Sequence, residues 1–209
     1  TAGFYKLPDG TNPSGQFDAV LRSRDKGKTW DDRTLFVPPG NITPWETRLC
    51  EMQPGRLVTI IWAYDGKQDR HMTNRVAVSH DNGYTWSSLI DTGHMGQSSN
   101  LLWLGGDYLL SIHAHRGEDP GVYVRIVDFS NDKWNVIDEA NIWGGAGQQT
   151  RTGQSMTQMF ASLRFGQPSL LRLRTDEFLA YHWSIEEGQG KIRGHRLHIP
   201  VGRLGLGGL

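Results

Sequence analysis

The chain has 209 residues, and 22 Lys and Arg against 22 Asp and Glu give a formal net charge of zero. That balance excludes the basic footprint of a nucleic-acid binder or a membrane-surface protein, and no apolar stretch is long enough to span a bilayer. A single cysteine, Cys50, excludes an internal disulfide and a multi-Cys metal site.

Eight Trp and 26 Gly, with no long tracts of Ala, Leu, Glu and Lys, point to an all-β chain of short strands and glycine turns. The length suffices for one sizeable core or two small ones. Cys50 sits in the apolar run RLCEM and reads as a buried core thiol. No signal peptide is visible, and a start at Thr1 without Met fits a processed or excised form.

From the N-terminus, the alternating run FDAVLRS predicts a strand that leads into SRDKGKTW at Ser23 to Trp30. The unit ETRLCEMQPGRLVTIIWAY (Glu46 to Tyr64) reads as strand, polar turn, strand. A further strand, NRVAVS, leads into SHDNGYTW at Ser79 to Trp86. The two octapeptides share S-x-D-x-G-x-T-W, a pattern with a mechanical logic. Gly accepts positive φ, Asp accepts bonds from nearby amides, the hydroxyls add local bonds, and Trp packs its ring under the loop. A calcium loop, which needs D-x-[DN]-x-[DN]-G and a distal Glu, is not met.

The strand–turn–strand unit recurs as QSSNLLWLGGDYLLSIHAH (Gln97 to His115) and QPSLLRLRTDEFLAYHWSI (Gln167 to Ile185), with KIRGHRLHIPV as a following strand. Successive units start 51 residues apart (97 − 46) and then 70 apart (167 − 97), against roughly 40–50 for a propeller blade. The excess falls in a polar, glycine-rich stretch, Gly144 to Phe160, that reads as an inserted loop.

S-x-D-x-G-x-T-W resembles the Asp box, or BNR repeat, of the sialidase (neuraminidase) superfamily. DFSNDKW at Asp128 to Trp134 looks like a remnant of a third copy. The resemblance implies a β-propeller of four-stranded blades, with each box joining the third and fourth strands. On that basis the chain holds about three full blades and a partial one, as in a fragment of a six-bladed propeller. The spans are a partial blade over 1–40, blades over 41–93, 94–143 and 161–201, the insert over 144–160, and a tail over 202–209. AGFYKL is then the second strand of the partial blade, and the innermost strand is absent. The ends would be closed by missing blades or by self-association.

Blade geometry predicts two rings at one face, opposite the boxes: Glu46, Gln97 and Gln167, then Trp62, His113 and Trp183. ETRLCEMQPGR is similar to the family stretch E-x-x-x-x-E-L-x-D-G-R, in which the first Glu, here Glu46, assists a tyrosine nucleophile. Where the family carries a carboxylate-clamping arginine, this chain has Trp62. The family's Asp acid would precede Thr1, and its tyrosine has no assigned position.

The expected catalytic residues are Glu46 and His113. The expected substrate-binding residues are Trp62, Tyr64, Arg70, Gln97, His115, Arg116, Gln167, His182 and Trp183. Trp faces stack on sugars, Glu46 supplies a carboxylate base or acid, and histidine titrates near neutrality. A second carboxylate, which most glycosidases need, is open among Asp65, Asp69, Glu118, Asp119 and Glu186. No metal or cofactor is implied. The partner expected is a glycan or polysaccharide, and the resemblance implies an extracellular or periplasmic setting. A non-catalytic carbohydrate- or protein-binding propeller is one alternative. A polysaccharide lyase is another, with His113 or His115 as base and Arg116 neutralising a uronate.

Overall fold

A computed structural model describes residues 2–4, 16–145 and 162–206. The chain divides into two compact units, Thr1–Met95 and Gly96–Leu209. Both are built from antiparallel sheets. Most of the insert expected over 144–160, and the last three residues of the expected tail, lie outside the described residues.

In the first unit, β1 (Ala2–Phe4), β2 (Gln16–Arg22) and β3 (Asp32–Val37) form a sheet in that order. A second sheet runs β4 (Ile42–Gln53), β5 (Arg56–Asp65), β7 (Arg75–Ser79), β8 (Ile90–Asp91), and β6 (Arg70–His71) pairs with the end of β5. The strands follow sequence order within each sheet. Gly55, at φ 83°, closes the β4–β5 turn. Phe36 and Val37 pack on Ile61 and Ala77, with Val20, Trp86 and Leu89 around them.

In the second unit, β9 (Ser99–Gly105), β10 (Tyr108–His115), β11 (Gly121–Asp128) and β12 (Asn135–Gly144) form one meander. β13 (Phe165–Arg172), β14 (Glu177–Glu186) and β15 (Gln189–His198) form another. Leu110, Ile112, Val122 and Val124 meet Phe165, Phe178, Ala180 and Val201 in the core of this unit. Among the described residues, two short 3-10 turns, Ser130–Asp132 and Val201–Leu204, carry the assigned helical structure of more than a residue.

The central strands explain the apolar runs in the sequence. β5 and β10 are buried along nearly their whole length, as expected for strands covered on both faces. β12 and β15 are mostly exposed and correspondingly polar. Cys50 is 9% exposed, in agreement with a core thiol.

The two octapeptides form the same turn, after β2 and after β7. In the first, Ser23 Oγ donates to Asp25 (2.8 Å) and accepts from Gly27 N (2.7 Å). Asp25 accepts Thr29 N (2.8 Å) and Thr29 Oγ1 (2.7 Å), and Trp30 Nε1 donates to Gly27 O (3.0 Å). In the second, the corresponding distances are 2.8, 2.8, 2.8, 2.6 and 3.0 Å, through Ser79, Asp81, Gly83, Thr85 and Trp86. Lys26 and Gly27, and Asn82 and Gly83, all have positive φ, which is why glycine recurs. The remnant at Asp128 keeps one piece of this pattern, with Ser130 N bonded to Asp128 Oδ1 at 2.9 Å.

Candidate functional site

In the first unit, β4 carries an extra residue near its start. Trp45 pairs with Trp62, but the next pair is Arg48 with Ile60. Glu46 and Thr47 therefore bulge opposite Ile61, and Glu46 sits at φ 48°. A non-glycine residue in the left-handed region is costly and marks a place where the surroundings force the backbone. β13 repeats the device in the second unit. Gly166 pairs with Trp183, Ser169 with Tyr181, and Gln167 between them has φ 49°. In the third sheet Gln97 N donates to Ala114 O (2.8 Å) while Ala114 N donates to Ser98 O (2.9 Å). Within each of these three sheets, the start of the first strand lies beside the end of the second.

The Glu46 bulge is held from behind. Thr47 donates its hydroxyl to Asp18 on β2, and Asp18, 0% exposed, also accepts Ala19 N at 3.1 Å. Burial pushes the Asp18 carboxyl up. Asp18 was not foreseen as part of the site. Its signal was present, since the period of two in QFDAVLR sets it on the same inward face as Val20.

Beside the bulge lies an aromatic group. Trp45 stacks on Tyr64 (4.6 Å between centroids, 22°) and meets Trp62 edge-on (4.8 Å, 80°). Trp45 Nε1 donates to Gln16 Oε1 at 2.9 Å. Trp62 is only 3% exposed, and its indole N–H points to His71 Nδ1 at 3.2 Å. Trp62, expected to stack on a sugar, is the buried floor of this group, and the half-buried rings are Trp45, Tyr64 and His71. The Tyr64 hydroxyl bonds Asp69. Burial, then Asp69, pushes Tyr64 up to about 12, so it stays protonated and is no ready nucleophile. Asp65 accepts Lys67 N and Gln68 N, both at 3.0 Å, as a turn residue. Arg70 is exposed.

In the second unit, His113 and Arg116 do not face solvent. His113 is 1% exposed, faces Arg125 Nη1 at 2.8 Å from its Nδ1, and stacks on Tyr123. Arg116 is 5% exposed, and its Nε and Nη2 donate to Phe165 O at 3.1 and 2.7 Å. Gln97 Oε1 accepts Arg116 N at 2.9 Å. Arg116 thus fastens the end of β10 to β13, Gln97 holds the Arg116 backbone, and His113 packs against β11. His115 Nε2 bonds Glu118 O at 2.8 Å, and Asp119 O accepts the Tyr123 hydroxyl at 2.8 Å.

His182 is 1% exposed and stacks on His195, with the two Nε2 atoms 3.2 Å apart. Burial pulls both below the usual histidine range. Gln167 is exposed and Trp183 half-buried. Among the described residues no group of three His, Cys, Asp or Glu is placed to hold a metal.

No protein-family model matches the sequence, and no curated protein matches it. Solved structures share the fold. A protein of unknown function from Dyadobacter fermentans superposes with TM-score 0.66 at 21% identity, over 94% of this chain and 52% of that one. The Bacteroides ovatus xyloglucan PUL protein GH43B superposes with TM-score 0.55 at 12% identity, over 89% of this chain and 36% of its own. The chain thus spans about half the length of the first and about a third of the second. The class defined is an all-β fold of consecutive antiparallel meanders like those of a β-propeller.

Proposed function

We propose that the sheets are blades of a sialidase-like β-propeller, and that the protein binds and hydrolyses a glycan, with Glu46 as its catalytic carboxylate. One observation carries this. The backbone at Glu46 is held at φ 48° in a bulge, fixed from below by the Thr47–Asp18 bond, next to half-buried aromatic rings. Strain kept at one acidic residue beside rings suited to sugar C–H faces fits a preorganised carboxylate. The fold likeness to GH43B, a glycoside hydrolase, and the paired octapeptides support the same reading.

A lyase using His113 or His115 with Arg116 fits poorly, because His113 and Arg116 are buried in structural bonds and His115 Nε2 is bonded to Glu118 O. A non-catalytic glycan binder remains the second reading. It is favoured by the turn role of Asp65, whose carboxylate accepts two backbone amides and is thereby taken from the expected second carboxylates.

Glu46→Gln tests the proposal on a panel of chromogenic glycosides. The substitution is isosteric, so circular dichroism should be unchanged while turnover falls by roughly 100- to 10,000-fold. Full activity in the variant removes Glu46 from the chemistry. If wild-type protein turns over nothing, yet sugars quench its tryptophan fluorescence, it is a binder.

A further inference from the structure

The second unit contains a cleft of 740 Å³ lined by Trp143, Arg164, Glu186, Glu187 and Arg193, with Ile185 and two glycines. That volume lies within the range of about 300–1,000 Å³ typical of ligand pockets. Its walls are built, not incidental. Trp143 packs against Phe165 (5.1 Å) and His182 (4.8 Å), which fixes the indole while leaving it half-buried. Glu186 pairs with Gln189 across a two-residue turn in which Glu187 (φ 52°) and Gly188 (φ 75°) are both left-handed. Two such residues make the turn that matches strand twist, so the rim is stiff.

The Glu186 carboxylate is also aimed. Arg193 grips it with Nε at 2.8 Å and a second bond from Nη2, and Ser184 Oγ donates to it at 2.9 Å. These bonds hold it ionised, at about 2. Across the cleft, Arg164 is fixed through its backbone, whose carbonyl accepts Ile185 N at 2.5 Å. Its guanidinium is exposed and in no ion pair among the described residues.

The lining selects the ligand class. A charged lining repels an apolar ligand. Two arginines face two glutamates, and Lys191 lies 3.6 Å from Glu186, so most of the charge is cancelled and little field is left to draw a polyanion. A fixed indole, an oriented carboxylate acceptor and a guanidinium donor together suit a ring with one C–H face and hydroxyls at its edge. We infer that this cleft is a subsite for a neutral pyranose unit of an oligosaccharide, stacked on Trp143, with hydroxyls bonded to Glu186 and Arg164. The ligand class rests on the glycan reading above, but the residues are independent of Glu46.

Titration calorimetry of the purified chain with xyloglucan heptasaccharide, cellohexaose, xylohexaose and trigalacturonate tests it. At least one neutral oligosaccharide should bind saturably, with trigalacturonate weaker. Trp143→Ala should weaken binding at least about tenfold, and Trp143→Phe, which keeps a ring, should recover most of it. Arg164→Ala also weakens binding, and its fold is safe because its described bond is made by the backbone. The inference is overturned if no neutral oligosaccharide binds, if trigalacturonate binds best, or if Trp143→Ala and Arg164→Ala bind like wild type. If those two bind like wild type while Glu46→Gln loses turnover, the cleft falls and the Glu46 proposal stands.

Discussion

The turns at Ser23–Trp30 and Ser79–Trp86 make the same bonds with different surroundings. Their hydrogen-bond distances agree to about a tenth of an ångström, which places the turn's geometry within its eight residues. What differs is cover. Trp30 is 57% exposed. Trp86 packs on Phe36 at 4.9 Å and joins the unit's core. The second turn is also gripped by an arginine from β2. Arg22 donates to Gly83 O at 2.6 Å and lies 4.1 Å from the Tyr84 ring centroid. The sequence motif therefore specifies a shape, and the neighbouring sheet decides how much stability that shape carries.

The largest expected effect comes from removing the two rings. Trp86→Ala should cost about 2–3 kcal/mol of unfolding free energy, less than for a fully buried Trp because Trp86 is half-buried. Trp30→Ala should cost under about 0.5 kcal/mol. Urea denaturation of both variants measures the pair, and equal losses would break the contrast between them.

Next come the turn glycines. Gly27 and Gly83 have φ of 87° and 81°, so alanine at either costs about 1 kcal/mol through the backbone alone. A Cβ at Gly27 would meet only Trp30, at 3.7 Å. At Gly83 it would meet Arg22 Nη1, Leu57 and Trp86, each at 3.4 Å. Gly83→Ala should therefore lose more than Gly27→Ala in the same urea experiment. The reverse order would mean the Arg22 grip is not what distinguishes the turns.

The same division separates what the sequence revealed from what it hid. Strands and turns were legible because they follow from local spacing: alternation in FDAVLRS, continuous apolar residues in LVTIIWA, glycine where φ is positive. The bulges at Glu46 and Gln167 were not, because neither position carries a glycine and one extra residue leaves no mark in a single strand. Arg116 read as a free cation because its acceptor, Phe165 O, lies 49 residues away in the chain. Trp62 and Trp45 could not be ranked as floor and rim, since a strand's period assigns faces but not which face is capped. The Glu186 side of the cleft was visible as a candidate carboxylate. Its arginine grip was not, being a cross-strand contact of the β14–β15 register.

The smallest effect concerns charge, and here the two turns should behave alike. Asp25 and Asp81 are each held at about 2, against an ordinary 3.8, by bonds from the threonine and serine of their own octapeptide. A carboxylate with a lowered folded-state value binds fewer protons folded than unfolded. Its contribution is therefore complete above about pH 4 and drains away as pH falls towards 2. Asp18, raised by burial, works in the opposite direction, so the wild-type acid profile mixes the two signs and only a difference between variants isolates the turns. Asp25→Asn and Asp81→Asn should each flatten the fall in stability between about pH 4 and pH 2, by equal amounts, and the double variant should flatten it by their sum. Unequal slopes would mean that Arg22, close to the second turn, tunes Asp81 from outside. Equal slopes beside unequal tryptophan losses would place the electrostatics inside the octapeptide and the packing outside it.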